Sequence, residues 1–293
     1  MRLCGIVIVL GLVTQSASPT RITFDGQEKS RPTWSPDGKT LSFARHESGG
    51  LQVYQYVFEP GNRDSLRRLT KRDAPEYHAA FTPDGKRLLI VVITLSGTQG
   101  NLDIAVIDKD GGDTKTIMGD TNGLSHQDWP AISPDGKRFA FSSTHEGNQE
   151  IYTATIEGKD VVRVTQSPGH DAHPCWTPDG GSLIFSTDRW SGLELARCKA
   201  DGTRLVRLTT SHGLDDYPAI SPDGRSLSFV SNRDGQYEIY VSDIDGSHPV
   251  NLTNHPDRDT QPTWTPDGKA ITFVSGRAGG CELYTVKVDR RSP

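Results

Sequence analysis

The sequence predicts an all-β fold: a six-bladed β-propeller of four-stranded antiparallel blades, closed by an N-terminal strand that completes the last blade. Three observations predict it. A Ser/Thr-Pro-Asp-Gly turn occurs six times, with its prolines at Pro36, Pro83, Pro134, Pro178, Pro222 and Pro266. The residues after each turn alternate in polarity, as at Leu41 and Phe43 or Leu227 and Phe229, which is the period of a half-buried strand. The intervals between the prolines are 47, 51, 44, 44 and 44 residues, close to one propeller blade each.

Each element of the unit has a local cause. In the turn, proline presets φ at the second position and glycine at the fourth takes the left-handed conformation, as in a type I β-turn. A strand therefore stands on either side of it. An acid or amide before a hydrophobic–aromatic pair marks a third strand, as at Gln149-Glu150-Ile151-Tyr152, Tyr237-Glu238-Ile239-Tyr240 and Cys281-Glu282-Leu283-Tyr284. A second turn follows at Asp110-Gly111, Glu157-Gly158, Asp201-Gly202 and Asp245-Gly246. Short fourth strands are expected at Arg68-Leu69-Thr70, Arg163-Val164-Thr165, Arg207-Leu208-Thr209 and Asn251-Leu252-Thr253. The sixth unit lacks this ending, and a matching triplet, Arg21-Ile22-Thr23, stands alone before the first unit. Pairing of that triplet with the last unit closes the ring and removes two open sheet edges. The propeller is expected to occupy residues 20–289.

Met1-Arg2, the apolar run Leu3 to Val13 and the small residues that follow read as an export signal over residues 1–16, cleaved after Ser16. The apolar run is too short to span a bilayer as a helix. The expected location is periplasmic or secreted. With 32 basic against 37 acidic residues, a net charge of −5 and no long basic run, nothing favours nucleic acid or an anionic membrane surface. After signal removal Cys175, Cys198 and Cys281 remain, and their spacing suits free thiols.

The stretch Pro218 to Tyr240, with its Pro-Asp-Gly turn and the run Arg233-Asp234-Gly235-Gln236-Tyr237-Glu238-Ile239-Tyr240, resembles the WD-like repeat of TolB-like proteins. The resemblance is to the propeller portion of that family, without its N-terminal domain. It implies a periplasmic propeller whose first strands line a central channel. It also implies docking of a peptidoglycan-associated lipoprotein, as in the Tol–Pal envelope system. The same repeat builds propellers of some serine peptidases and of an oligogalacturonide lyase family.

The sequence contains no Gly-x-Ser-x-Gly, no phosphate-binding glycine loop, no His-Glu-x-x-His and no calcium-loop pattern. Two aligned columns do carry chemistry. Lys29, Glu76, Gln127, Asp171, Asp215 and Asp259 share one position, and Arg31, His78, Trp129, His173, Tyr217 and Gln261 share another two residues on. Asp128 and Asp216 lie between them. Both columns are expected on the loop entering the innermost strand, so that six copies meet at one mouth of the channel. The candidates for binding a ligand or partner there are Glu76, His78, Asp128, Asp171, His173, Asp215, Asp216, Tyr217 and Asp259. The recurrence of Asp171, Asp215 and Asp259 in one slot favours a loop-shaping hydrogen bond from side chain to backbone.

The reading these features favour is a monomeric, non-enzymatic scaffold that presents a ring of loops to an envelope protein, with no cofactor. The alternatives are a metal-assisted lyase or hydrolase on acidic oligosaccharides, using His78, His173, Asp171 and a divalent cation in the channel, or small-ligand binding without turnover. The long second unit, around Leu95 to Asn101 and Asp110 to Gln127, is expected to hold the most irregular loops and a partner surface.

Overall fold

In the computed structural model, which describes residues 13–15, 18–48, 50–58, 65–96, 99–119 and 125–290, six antiparallel sheets stand in a ring. The first strands are Lys29–Trp34, Glu76–Phe81, Gln127–Ile132, Asp171–Trp176, Asp215–Ile220 and Asp259–Trp264, one per blade. Each pairs with the strand after its Pro-Asp-Gly turn. In the first turn Gly38 N–H donates to the Ser35 carbonyl at 2.9 Å, with Gly38 at a φ of 70°. The Ser35 hydroxyl donates to Asp37 at 2.6 Å and accepts from Thr40 N–H at 2.9 Å, so the turn residues satisfy one another.

Every blade buries its faces against its neighbours. Val53 and Leu69 of blade 1 pack with Leu88, Ile90 and Ile107 of blade 2, and the same layer recurs around the ring. The alternating aromatics supply its centre, since Phe43, Phe139, Phe141, Phe185, Phe229 and Phe273 are fully buried. First-strand tryptophans tie blades together, with Trp34 Nε1 donating to Thr272 Oγ1 at 3.0 Å and Trp176 Nε1 to the Ala131 carbonyl at 2.9 Å.

The seam closes as the orphan triplet predicts. Thr20–Arg21 pairs antiparallel with the last strand, Glu282–Arg290, with Thr20 opposite Thr285 and Arg21 opposite Tyr284. Ile22 N–H donates to the Leu283 carbonyl at 2.8 Å, and Ile22 packs with Leu41, Phe43, Val274 and Leu283 across the join. Of the expected export signal, residues 1–12 and 16 lie outside the described residues. Val13–Gln15 also pairs with the last strand, opposite Val288, Asp289 and Arg290. Among the described residues no helix is long and apolar enough to cross a membrane.

Two sequence expectations shift. The fourth strands end earlier than the triplets suggested, at Ser65–Arg68, Val162–Arg163, Val206–Arg207 and Val250–Asn251. After the arginine the threonine side chain replaces the backbone. Thr165 Oγ1 accepts Ile151 N–H at 2.9 Å and donates to Glu150 at 2.6 Å, and Thr209 does the same with Leu195 and Glu194. In the second unit, much of Leu95 to Asn101 is strand rather than loop. Arg87–Ser96 and Gln99–Asp108 form a ten-residue pair, the cross-strand ladder continuing to Ser96 opposite Gln99. Residues 97–98 and 120–124 lie outside the described residues.

Candidate functional site

The channel mouth is built by a fault repeated in all six first strands. Pairing with the second strand shifts register between Ser30 and Thr33, Tyr77 and Ala80, Asp128 and Ala131, Ala172 and Cys175, Asp216 and Ala219, and Thr260 and Thr263. In five blades a proline falls in this interval, and its missing N–H costs the ladder nothing there. The residue just before it takes a positive φ: Arg31, His78, Trp129, His173, Tyr217 and Gln261 lie between 53° and 56°. Non-glycine residues rarely adopt this region, and six in register mean that packing over-determines it. Each bulge delivers its side chain to the centre, where these residues line a cavity of about 220 Å³.

Trp129 is the hub. Its ring lies 4.1 Å from that of His78, 4.3 Å from His173 and 5.2 Å from Tyr217, and the Arg31 guanidinium sits 4.3 Å over it. His173 stacks on Tyr217 at 4.3 Å. Two carboxylates anchor the cluster from behind. Arg31 Nη1 donates to Asp128 at 3.0 Å, and Asp128 accepts Trp129 N–H at 2.7 Å. His173 Nδ1 lies 2.5 Å from Asp216 Oδ1, which also accepts from Ser186 Oγ at 2.6 Å and Tyr217 N–H at 2.7 Å. A carboxylate only accepts, so Nδ1 of His173 carries the proton and Nε2 is the nitrogen that Asp216 leaves unengaged.

Burial pushes His78 down to about 4, with Arg31 adding to the effect against the pull of Asp128. His78 is neutral at physiological pH, and its Nδ1 lies 3.2 Å from Arg31 Nη1 and 3.4 Å from Asp128 Oδ1. Burial raises Asp128, but its His78 contact and the Arg31 charge outweigh this and hold it at about 2. Asp216 is likewise held low, burial being outweighed by His173, Ser186 and the Tyr217 N–H. The Tyr217 hydroxyl is raised by burial and by the Asp216 charge. The mouth is thus a half-buried aromatic and arginine cluster with its charges paired.

Of the residues singled out from sequence, the structure gathers His78, Asp128, His173, Asp216 and Tyr217 here. It places Glu76, Asp171, Asp215 and Asp259 inside the blades, each fully buried. Asp171 binds Arg189 at 2.5 Å, Asp215 binds Arg233 at 2.9 Å and Asp259 binds Arg277 at 2.6 Å. The repeated slot shapes each blade through an arginine side chain, where a backbone partner was expected. Glu76 accepts from Thr114 Oγ1 at 3.2 Å, and burial raises its pKa. Arg31, Trp129 and Gln261 complete the mouth although their side-chain chemistry did not single them out; their alignment with His78 and His173 was the available signal. Among the described residues no three His, Cys, Asp or Glu side chains are grouped to hold a metal ion. Trp129 stands between His78 and His173, and Asp171 is held within its blade. Among the described residues Cys175, Cys198 and Cys281 are free thiols, and burial lifts Cys175 and Cys198 to about 12.

A family model described as the TolB beta propeller domain matches residues 115–217 and 207–292. An uncharacterized protein of Agrobacterium fabrum is 31% identical over 135 residues, 45% of this chain and 42% of that protein. The Tol-Pal system protein TolB of Thioalkalivibrio sulfidiphilus is 32% identical over 124 residues, 41% of this chain and 28% of that protein. These matches therefore span less than half of either relative. Among solved structures, a putative TolB from Agrobacterium tumefaciens superimposes with a TM-score of 0.69 at 22% identity, covering 91% of both chains. An oligogalacturonate lyase in complex with manganese gives 0.61 at 14% identity, covering 96% of both. At these identities the likeness establishes the fold.

Proposed function

The chain belongs to the TolB β-propeller domain family, and from that premise we propose that it is an exported, non-enzymatic scaffold whose channel mouth docks a protein of the cell envelope. The observation that carries this reading is the Trp129 hub. Tryptophan, tyrosine and arginine in a concave, half-buried cluster are the residue types that dominate binding energy at protein interfaces. The groups that acid–base chemistry would use, His78 and Asp128, are engaged with Arg31. The docking needs no cofactor. A partner of the peptidoglycan-associated lipoprotein type is favoured by the likeness to a Tol-Pal system protein. Fourth strands of only two residues in blades 3, 4 and 5 offer little edge for self-pairing, which suits a monomer.

The test is titration calorimetry with the peptidoglycan-associated lipoprotein of the same cell. Trp129→Ala should weaken binding about 30-fold, since a hot-spot truncation costs about 2 kcal/mol or more. Binding unchanged in Trp129→Ala, or no binding by the intact protein, overturns the proposal. Export rests on residues 1–16; cleavage after Ser16 would remove Val13–Gln15 from the last sheet and keep Thr20–Arg21. N-terminal sequencing of the periplasmic fraction should read from Ala17.

A further inference from the structure

Blades 4, 5 and 6 each hold an arginine in the same cradle. In blade 5, Arg233 Nη2 lies 2.9 and 3.0 Å from the two Asp215 oxygens and Nε lies 2.9 Å from Ser231 Oγ. Its guanidinium sits 5.5 Å over the Phe229 ring and 4.8 Å over Tyr240. Blade 6 repeats this with Arg277, Asp259, Ser275, Phe273 and Tyr284. Blade 4 repeats it with Arg189, Asp171 and Thr187, the guanidinium lying 5.9 Å over Phe185 and 5.7 Å over Trp190.

Blade 3 has the cradle without the arginine and with the neutral amide of Gln127 in place of the carboxylate. Gln127 pairs opposite Ser143 as Asp215 does opposite Ser231, and Phe141 pairs opposite Tyr152 as Phe229 does opposite Tyr240. At the arginine position stands His145, which is exposed. A cavity of about 250 Å³ opens there, lined by Gln127, Phe141, Ser143, His145, Tyr152 and Val161. Gln127 and Tyr152 are more than nine-tenths buried, and Gln127 Oε1 and the Tyr152 hydroxyl lack hydrogen-bond partners among the described residues. Gln127 Nε2 donates to Ser125 Oγ at 2.6 Å. Ser143 Oγ accepts His145 N–H at 3.1 Å, as Ser231 accepts Arg233 N–H at 3.3 Å, but receives no bond matching that from Arg233 Nε.

We propose that this blade 3 cavity binds a guanidinium group, the side chain of an arginine presented by a partner protein. The cradle offers acceptors at Gln127 Oε1, Tyr152 Oη and Ser143 Oγ to a planar fork of donors, with ring faces from Phe141 and Tyr152 for stacking. A compact ammonium matches the rings and the spread of acceptors less well. The neighbouring Arg163, bound to Glu150 at 3.1 Å and also paired with Glu146, is no bar to a second guanidinium. Blade 4 holds Arg207 5.3 Å from the Trp190 ring that Arg189 also covers. Val161, 54% exposed on the lining, supplies apolar surface that a polypeptide covers and a free amino acid does not. This site is separate from the channel mouth and does not depend on docking there.

Calorimetric titration with N-ethylguanidinium, ethylammonium, free arginine and a short arginine-centred peptide tests it. Ethylguanidinium should bind saturably at one site and ethylammonium at least tenfold more weakly. The peptide should bind at least tenfold more tightly than free arginine. Gln127→Asp/His145→Arg, which rebuilds the cradle from the chain itself, should abolish ethylguanidinium binding. Tyr152→Phe, a milder change, should weaken it several-fold, and Trp129→Ala should leave it unchanged. No saturable binding, equal binding of both cations, or full binding by both cradle variants overturns the site. Equal affinity for peptide and free arginine overturns the protein source.

Discussion

His78 shows how closely the mouth residues control one another. It faces Arg31, Asp128, Trp129 and His173, and burial keeps it neutral down to about pH 4, against an ordinary value of 6.5. As pH falls from 6.5, the unfolded chain takes up this proton before the folded one does. The stability His78 gives is therefore full above pH 6.5 and is lost progressively toward pH 4. His78→Gln should flatten the pH dependence of the urea midpoint in that window and leave intact the fall below pH 4 that comes from Asp128. The column containing His78 was legible in the sequence, because the prolines align it. Its membership was not. Plain alternation puts Asp171 and His173 on one face of a strand, yet the bulge at His173 breaks the period, so one side chain meets Arg189 and the other the channel. Chemistry-based selection favoured carboxylates over Trp129, the residue on which the others converge.

Five of the six blades are held by a lock that the sequence displayed as a triplet without revealing its purpose. In blade 4, Glu194 accepts from Thr209 Oγ1 at 2.7 Å, Arg207 at 3.0 Å and Ser211 N–H at 3.2 Å. Glu150 and Glu238 gather equivalent threonine and backbone donors in blades 3 and 5. Thr209→Val keeps the shape but removes the hydroxyl, leaving Leu195 N–H and one Glu194 oxygen without their partner. It should cost about 2 kcal/mol in urea unfolding, the range for buried unsatisfied groups. The Arg-x-Thr triplets read as strands because their residues suit strands. The ladder actually stops at the arginine because a threonine side chain takes the next N–H. Blade 2 has Asp103 where the others have Glu or Gln, and its Thr94 Oγ1 partner at 2.5 Å comes from its own long hairpin, a substitution that no periodicity discloses.

Over the whole molecule, architecture was the most legible level, since six repeated turns and one displaced triplet left few other arrangements. The seam reuses the blade lock with more charge. Glu282 accepts from Arg21 at 2.8 Å, from Gly26 N–H at 2.8 Å and from the Thr23 hydroxyl, and lies 2.9 Å from Lys29, whose side chain is fully buried. Glu282→Ala leaves that buried ammonium with Asp25 as its remaining acidic partner. It should cost about 3 kcal/mol or more and expose residues 18–26 to limited proteolysis, which Thr209→Val should not do. Because the fastening joins Thr20–Arg21 to Glu282–Arg290, it cannot form until the last strand has been synthesised. During that interval five blades stand as an open arc with the hydrophobic flank of blade 1 uncovered. A chaperone that covers that flank has this interval in which to act.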